Sequence, residues 1–175
     1  MDDSHLVILA KNGDTNSFEQ LLMKHREQLY RTAFLYVGNR EDALDVVQET
    51  AYRSFESIGK LKNESYFLTW ITRILINCSN AIIKRRLIHE PIEEVAVYFN
   101  ENTNEQIELK EAIEQLQENY QTAIILFYYH DFSIKHIAET MQIPENTVKT
   151  YLNRGRKDLR KLIEGGSKNG QTNIS

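Results

Sequence analysis

The sequence contains little of what small folds use for tight turns and covalent cross-links. Its 175 residues include seven glycines, two prolines and one cysteine, Cys78. So few turn-forming residues argue against a β-rich fold, in which strands alternate with frequent turns. A single cysteine excludes an internal disulfide and any metal cage built from several cysteines. Because Cys78 stands among Ile74, Leu75 and Ile82, we expect it to be a buried structural thiol.

Long apolar runs and catalytic motifs are also lacking. No stretch approaches the roughly 20 apolar residues of a membrane-spanning helix. The first residues, Met1-Asp2-Asp3-Ser4, lack the basic and apolar regions of a signal peptide, so a cytoplasmic location is expected. The histidines are scattered, there is no glycine-rich phosphate loop, and no nucleophile has a base beside it. The sequence therefore predicts no enzyme, no metal or cofactor and no small-molecule substrate.

Apolar residues recur at helical spacing and predict an all-α fold. One helix is expected to end at Gly38-Asn39, a second to run from about Glu41 to Ile58, and a third from about Tyr66 to Leu87. Residues 59–65 resemble a polar loop. The face of the second helix predicted to point inward consists of Leu44, Val47, Ala51 and Phe55. Three amphipathic helices with short connections predict a compact bundle.

Helical spacing is lost at about Ile88, in a stretch that contains Pro91 and several glutamates. It resumes later, so we predict two small helical domains joined by a flexible acidic linker. Gly165-Gly166 is expected to end the last helix. In chain order, the predicted parts are an N-terminal domain at 1–87, the linker at 88–105, a C-terminal domain at 106–164 and a disordered tail at 165–175.

The net charge of −4 conceals a strong segregation of charge along the chain. Residues 60–86 hold six Lys or Arg and one acid, whereas residues 89–119 hold nine glutamates and one lysine. Residues 145–161 again hold six basic residues and two acids. Two basic islands separated by an acidic stretch favour two DNA-contacting modules over one uniformly basic surface.

The segment 133–154 predicts a helix-turn-helix. Ile143 suits the apolar plug between the helices, Pro144 fits the first turn of the second helix, and Val148 and Leu152 face inward. The outer face can then enter a major groove, where Arg and Lys read guanine, Asn reads adenine, and Thr contacts a thymine methyl. The predicted DNA-binding residues are Lys149, Thr150, Asn153 and Arg154, with Arg156 and Lys157 farther along and directed at phosphates. A solvated basic helix is the structural alternative.

A second candidate site joins the polar loop to the helix that follows it. Residues 65–77 and the run at 84–86 combine aromatic rings, hydroxyls, an amide and cations. Opening a duplex requires this mixture, because cations bind the backbone while rings and pockets hold unstacked bases. We expect Phe67, Trp70 and Ile74 to be core residues. The polar site candidates are Asn63, Ser65, Thr69, Arg73, Asn77 and Lys84.

An acidic face is predicted on the helix that begins near Glu41. Helical spacing places Asp42, Asp45 and Glu49 together, with Gln48 beside them. Acidic groups repel DNA, so this face suits docking to a protein. A solvated helix surface is the structural alternative.

These three segments resemble, in order and spacing, the family of extracytoplasmic-function (ECF) sigma factors. Residues 40–50 look like the helix that binds the polymerase clamp, 67–77 like the minus-ten promoter region, and 143–159 like the minus-thirty-five recognition helix. The resemblance implies an alternative sigma factor that binds core RNA polymerase, recognises both promoter elements, aids promoter melting and catalyses nothing itself.

The resemblance also implies partners and roles. Asp42, Asp45, Gln48 and Glu49 would bind core polymerase, and the two polar sets would bind promoter DNA. A membrane-anchored anti-sigma factor is expected to restrain the protein at the inner face of the membrane. The alternative is a helix-turn-helix regulator acting without polymerase, which gives no reason for the cluster at 60–86. Asn80, Gln142 and Asn146 depart from the Asp and glycines common in the family.

Overall fold

The computed structural model describes residues 3–89 and 104–169, and all regular structure within these ranges is helical. The expected all-α class is confirmed. The chain divides into two compact units, Met1–Val95 and Ala96–Ser175. Of the predicted linker, residues 88–89 end one helix and 104–105 begin the next. The remainder, 90–103, lies outside the described residues.

The first unit is a bundle in which one long helix contacts all the others. Its elements are α1 (Asp3–Lys11), α2 (Thr15–Val37), α3 (Arg40–Ser57), two 3₁₀ turns (Ile58–Lys60 and Glu64–Tyr66) and α4 (Phe67–His89). Helix α2 packs against α1, α3 and α4, and α3 also packs against α4. The largest fully buried side chains of this unit are Val7, Leu21, Leu29, Val46, Phe67, Ile71 and Leu75.

Helix α1 is an element that the apolar spacing did not predict. With nine residues it is too short to be stable alone in water. Its Leu6, Val7 and Ala10 are buried, so tertiary packing stabilises it rather than local propensity. Within residues 3–89, the first bundle therefore has four α-helices instead of the predicted three.

Polar caps set the boundaries of α2 and α3. The Asp14 side chain accepts a hydrogen bond from the Asn16 N–H at the start of α2. Gly38 ends α2 in the left-handed region, with φ at 79°, a conformation that glycine adopts without steric cost. Asn39 then caps α3 by accepting from the Asp42 N–H at 2.9 Å. The predicted helix end at Gly38-Asn39 is confirmed.

The inward face of α3 differs from the prediction. The structure buries Ala43, Val46, Thr50 and Ser54, whereas Leu44 and Phe55 are each about half exposed. Small residues let α3 approach its neighbours closely, and the two hydroxyls are satisfied within the helix. Thr50 donates to the Val46 carbonyl at 2.7 Å and Ser54 donates to the Ala51 carbonyl at 3.0 Å. Of the predicted apolar face, Leu44 and Phe55 thus point outward, whereas Val47 and Ala51 are half-buried.

The connection before α4 is also more ordered than a plain polar loop. Its two 3₁₀ turns flank Leu61, which is buried. Phe67 is fully buried as expected, but Trp70 and Ile74 are only half-buried. Cys78 is buried, and this burial raises the pKa of its thiol. The expectation of a structural thiol is confirmed.

The second unit is organised around its last helix. Its elements are α5 (Asn104–Glu114), α6 (Glu118–Tyr128), α7 (Ile134–Met141) and α8 (Glu145–Asn169), and α8 packs against the other three. Helix α8 continues through Gly165-Gly166, so the prediction that these glycines end it is wrong. Interior glycine weakens a helix by about 1 kcal/mol but ends it only where the backbone turns left-handed. Residues 170–175 of the predicted tail lie outside the described residues.

A left-handed residue makes the turn between α7 and α8. Gln142 has φ 56° and ψ 45°, and its N–H donates to the Ala138 carbonyl. Ile143 also donates to that carbonyl, at 3.0 Å. An L-residue with a Cβ holds this conformation at a cost of about 1–2 kcal/mol, which explains why glycine suits the position.

We predict that Gln142→Gly stabilises the second unit. Relief of the left-handed strain exceeds the added flexibility of the unfolded chain, so the free energy of unfolding should rise by about 0.5–1 kcal/mol. Gln142→Ala, which keeps a Cβ, is the matched control and should give no such gain. Urea unfolding of both variants checks this, and equal stability of the two would contradict the strain argument.

Candidate nucleic-acid and polymerase interfaces

One side of α4 carries the polar residues expected at the first DNA site. Ile71, Leu75 and Cys78 are buried on the opposite side. A helix turns 100° per residue, so residues four, seven or eleven positions apart return to within about 40° of the same direction. The residues on this solvent-facing stripe are Thr69, Arg73, Asn77 and Lys84, of which Thr69 is half-buried and the others are exposed. The structure therefore brings these four candidates onto one surface.

Asn63 and Ser65 lie at the second 3₁₀ turn, immediately before α4, and both are exposed. Asn63 Oδ1 accepts from the Ser65 N–H at 3.0 Å, and the Asn63 carbonyl accepts from the Tyr66 N–H at 3.1 Å. The oxygens of Asn63 thus shape the turn. Its Nδ2 hydrogens and the Ser65 hydroxyl are the groups that can be offered to a ligand.

The three basic residues at the end of α4 have two different roles. Lys84 and Arg85 are exposed. Arg86 instead donates from Nη1 to the Val37 carbonyl at 3.1 Å, at the end of α2, and forms an ion pair with Asp42 near the start of α3. Arg86 therefore joins three helices, a role that no sequence pattern indicated.

The acidic face of α3 is less uniform than its spacing suggests. Asp42 is held by Arg86 and accepts from the Asn39 side chain at 2.9 Å. Asp45, Gln48 and Glu49 line one open groove of about 580 Å³ between α3 and α4. Within it, Glu49 pairs with Arg53 at 2.5 Å. Asp45 and Gln48 are the exposed members of the predicted polymerase-binding set.

An exposed apolar stripe adjoins these acids. Leu44 is 50% exposed, Tyr52 60% and Phe55 48%. Phe55 also makes an edge-to-face contact with Phe18 of α2, with ring centroids 5.3 Å apart. Large exposed apolar side chains next to charged groups are typical of a protein-docking surface. The helical spacing of Leu44 and Phe55 was visible in the sequence, but it indicated a core face.

All six residues predicted on the recognition helix are exposed. They are Lys149, Thr150, Asn153, Arg154, Arg156 and Lys157. Val148, Leu152 and Gly155 are buried on the inner side of α8. A Cβ on Gly155 would lie 3.0 Å from Ile124 Cγ1, so glycine permits the close approach of α8 to α6. This packing determines which face of α8 is free to contact DNA.

Aromatic residues of α6 hold two of the arginines. Arg154 Nη1 donates to the Tyr120 hydroxyl at 3.5 Å, which raises the pKa of Arg154. Arg156 Nε donates to the Tyr128 hydroxyl at 2.9 Å and its guanidinium lies 5.3 Å from the Phe127 ring centroid. Sequence reasoning missed these aromatic partners because they lie more than 25 positions away along the chain.

Two further findings concern the described residues alone. No group of three or more His, Cys, Asp or Glu side chains could hold a metal ion. None of the described helices is long and apolar enough to cross a membrane.

Two helical units, one with a polar, basic face on α4 and one with a helix-turn-helix, form an architecture typical of a DNA-binding transcription protein. The sequence matches the family Sigma-70 region 2 over residues 21–86 and Sigma-70, region 4 over residues 106–159. It is 31% identical to RNA polymerase sigma factor SigV of Bacillus subtilis, over 78% of this chain and 84% of that protein. It is 30% identical to ECF RNA polymerase sigma factor SigW of the same organism, over 88% of this chain and 92% of that protein.

The chain belongs to the ECF RNA polymerase sigma-factor family. It is an alternative sigma factor, a polymerase subunit that directs transcription initiation. Two solved structures share its fold. CnrH, solved with the cytosolic domain of CnrY, has a TM-score of 0.76 at 20% identity, covering 93% of this chain and 97% of that chain. RpoE of Bartonella quintana, solved with the anti-sigma factor NepR, has a TM-score of 0.74 at 23% identity, covering 86% of this chain and 98% of that chain.

We predict that Arg86→Met destabilises the first unit and Arg85→Met does not. The first change leaves the Val37 carbonyl and Asp42 without their cation, which should lower the free energy of unfolding by about 1–2 kcal/mol. Arg85 is exposed, and such substitutions usually change stability by less than about 0.5 kcal/mol. Urea unfolding of the two variants tests this difference. An equal loss of unfolding free energy in the two variants would show that the contacts of Arg86 with three helices do not contribute to stability.

Proposed function

We propose that the two units divide promoter recognition between them. The first, residues 1–87, binds core polymerase and the minus-ten element, and the second, residues 106–164, binds the minus-thirty-five element. The observation that carries this assignment is that each unit exposes one polar, basic helix face. These faces lie on α4 and α8, within the segments that match sigma regions 2 and 4.

In the first unit, the exposed loop residues Asn63 and Ser65 capture a base extruded from the non-template strand. Arg73 and Lys84 bind the nearby backbone, and Thr69 and Asn77 line the path between them. Extruding a base costs a few kcal/mol, so the loop must return a comparable interaction energy. An exposed amide, an exposed hydroxyl and cations along one face support this role.

Core polymerase docks on α3. Asp45, Gln48 and Glu49 supply polar contacts from the groove, and the exposed Leu44 and Phe55 supply the apolar part of the interface. A protein interface of this kind combines apolar anchors with charged groups that guide encounter. Asp42 contributes indirectly by fixing the start of α3 through Arg86.

The protein works in the cytoplasm and is restrained by an anti-sigma factor anchored in the membrane. CnrH and RpoE were each solved with a partner, and NepR is named an anti-sigma factor. Release of such a partner would free the docking surface for polymerase.

Run-off transcription with purified core polymerase tests the proposal directly. Promoter-specific transcripts should form only when this chain is added. Asp45→Lys should weaken core binding and transcript yield without changing the unfolding transition, since Asp45 is exposed. Glu139→Lys, a charge reversal of the same sign at an exposed residue of the second unit, controls for net charge. Unchanged core binding by Asp45→Lys would remove the acidic groove from the interface.

The recognition helix should separate base reading from backbone anchoring. Arg154→Ala should change the minus-thirty-five preference, because loss of a bidentate base contact costs about 1–3 kcal/mol at one base pair. Lys157→Ala should weaken binding to all promoter sequences alike. It should also lower the slope of log K against log salt concentration by about one. Holoenzyme binding to single-base promoter variants at several salt concentrations measures both effects. An unchanged ranking with Arg154→Ala, or a reordered one with Lys157→Ala, would overturn this division.

A further inference from the structure

Helix α1 packs directly on the turn that carries the proposed base-capturing residues. It contacts both 3₁₀ turns as well as α2 and α4. Its first residue, Asp3, pairs with Lys24 at 2.5 Å and with His25 at 2.8 Å on α2. Its last residue, Lys11, pairs with Glu64 of the second 3₁₀ turn at 2.7 Å. Ion pairs therefore fasten both ends of α1, and one of them reaches the functional loop.

The Lys11–Glu64 pair is better shielded than an ordinary surface ion pair. The two side chains are 23% and 29% exposed, against 53% and 46% for the Arg53–Glu49 pair on α3. The hydrogen bond from Lys11 lowers the pKa of Glu64 below its ordinary value. The pair also joins residues 53 positions apart in sequence. It thus ties the turn to a separate helix instead of reinforcing a local contact.

Glu64 is placed unfavourably for a loop that must approach DNA, because it lies between Asn63 and Ser65. Without a cation beside it, the Glu64 carboxylate would repel the DNA phosphates. The turn would also lose a contact that restrains its position. Lys11 corrects both effects, since its ammonium neutralises the carboxylate and holds it toward α1. Asn63 and Ser65 are then left on the outer side of the turn, where both are exposed.

We infer that Lys11 is a positioning residue for promoter opening, acting through Glu64 on the Asn63–Ser65 turn. The inference rests on the proposed capture of a base by this turn. Lys11 contacts the protein rather than the base, so its loss disorders the presentation of Asn63 and Ser65. The consequence is a weaker selection of the captured base and slower opening, with duplex binding by the second unit unaffected.

The experiment compares Lys11→Met and Glu64→Gln holoenzymes with wild type. Permanganate reactivity of start-site thymines measures opening, and competition among single-base minus-ten variants measures base selection. The interaction energy of a partly shielded ion pair corresponds to a change of about three- to five-fold in an equilibrium constant. We expect opening and selection each to fall by that factor in Lys11→Met, whereas closed-complex binding stays the same. Lys11→Glu combined with Glu64→Lys should restore part of the loss.

Lys24→Met is the matched control, because it removes an ion pair from the other end of α1. It should affect stability at most and leave base selection unchanged. Thermal unfolding of every variant identifies any that fail to fold, and Lys11→Arg, which retains the charge, should keep opening and selection near wild type. If Lys11→Met and Lys24→Met change selection equally, the effect is general loosening of α1 and the inference is wrong.

The alanine variants Asn63→Ala and Ser65→Ala separate this inference from the proposal beneath it. If they leave opening and base selection unchanged, base capture by the turn is wrong, and the role of Lys11 fails with it. If they reduce both while Lys11→Met reduces neither, base capture stands and the positioning role is overturned. Reduction by all three variants, with the charge-swapped pair partly restored, supports the inference.

Discussion

In each unit the helix proposed to contact DNA is also a central helix of the core, and most other features depend on this constraint. Phe67, Ile71 and Leu75 bury one side of α4, so Arg73 and Asn77 must face solvent. On α8, Val148 and Leu152 have the same effect on Asn153 and Arg154. Helical geometry leaves no freedom to turn one face without the other. Hydrophobic burial therefore orients the polar residues that are proposed to recognise DNA.

Polar side chains then refine this arrangement. Arg86 and Asp42 connect the end of α2, the start of α3 and the last turns of α4. Tyr120 and Tyr128 hold arginines of α8 in place. Such contacts restrict long side chains before a ligand arrives, so less conformational entropy is lost on binding. Charged residues in this protein thus include some that position their neighbours, such as Arg86, and others that are exposed and proposed to bind partners.

Sequence reasoning succeeded where one segment carried a complete physical signal. The end of α2 followed from Gly38 and Asn39, and the turn before α8 followed from the pattern around Ile143 and Pro144. It failed on α3, where Leu44 and Phe55 looked like core residues. Both the buried and the exposed stripes of α3 have helical spacing, and apolar size favoured the wrong one. A docking surface for another protein cannot be distinguished from a core by periodicity alone.

The sequence by itself determined the helical class, the separation into two units and the residues offered by α4 and α8, because these depend on local propensity and periodicity. Only the tertiary structure decided that α1 would form, that small residues would make up the buried face of α3, and that Lys11 would pair with Glu64. Each of these depends on groups far apart in the chain. Their interaction energies arise only after the helices have packed, so no local pattern could encode them.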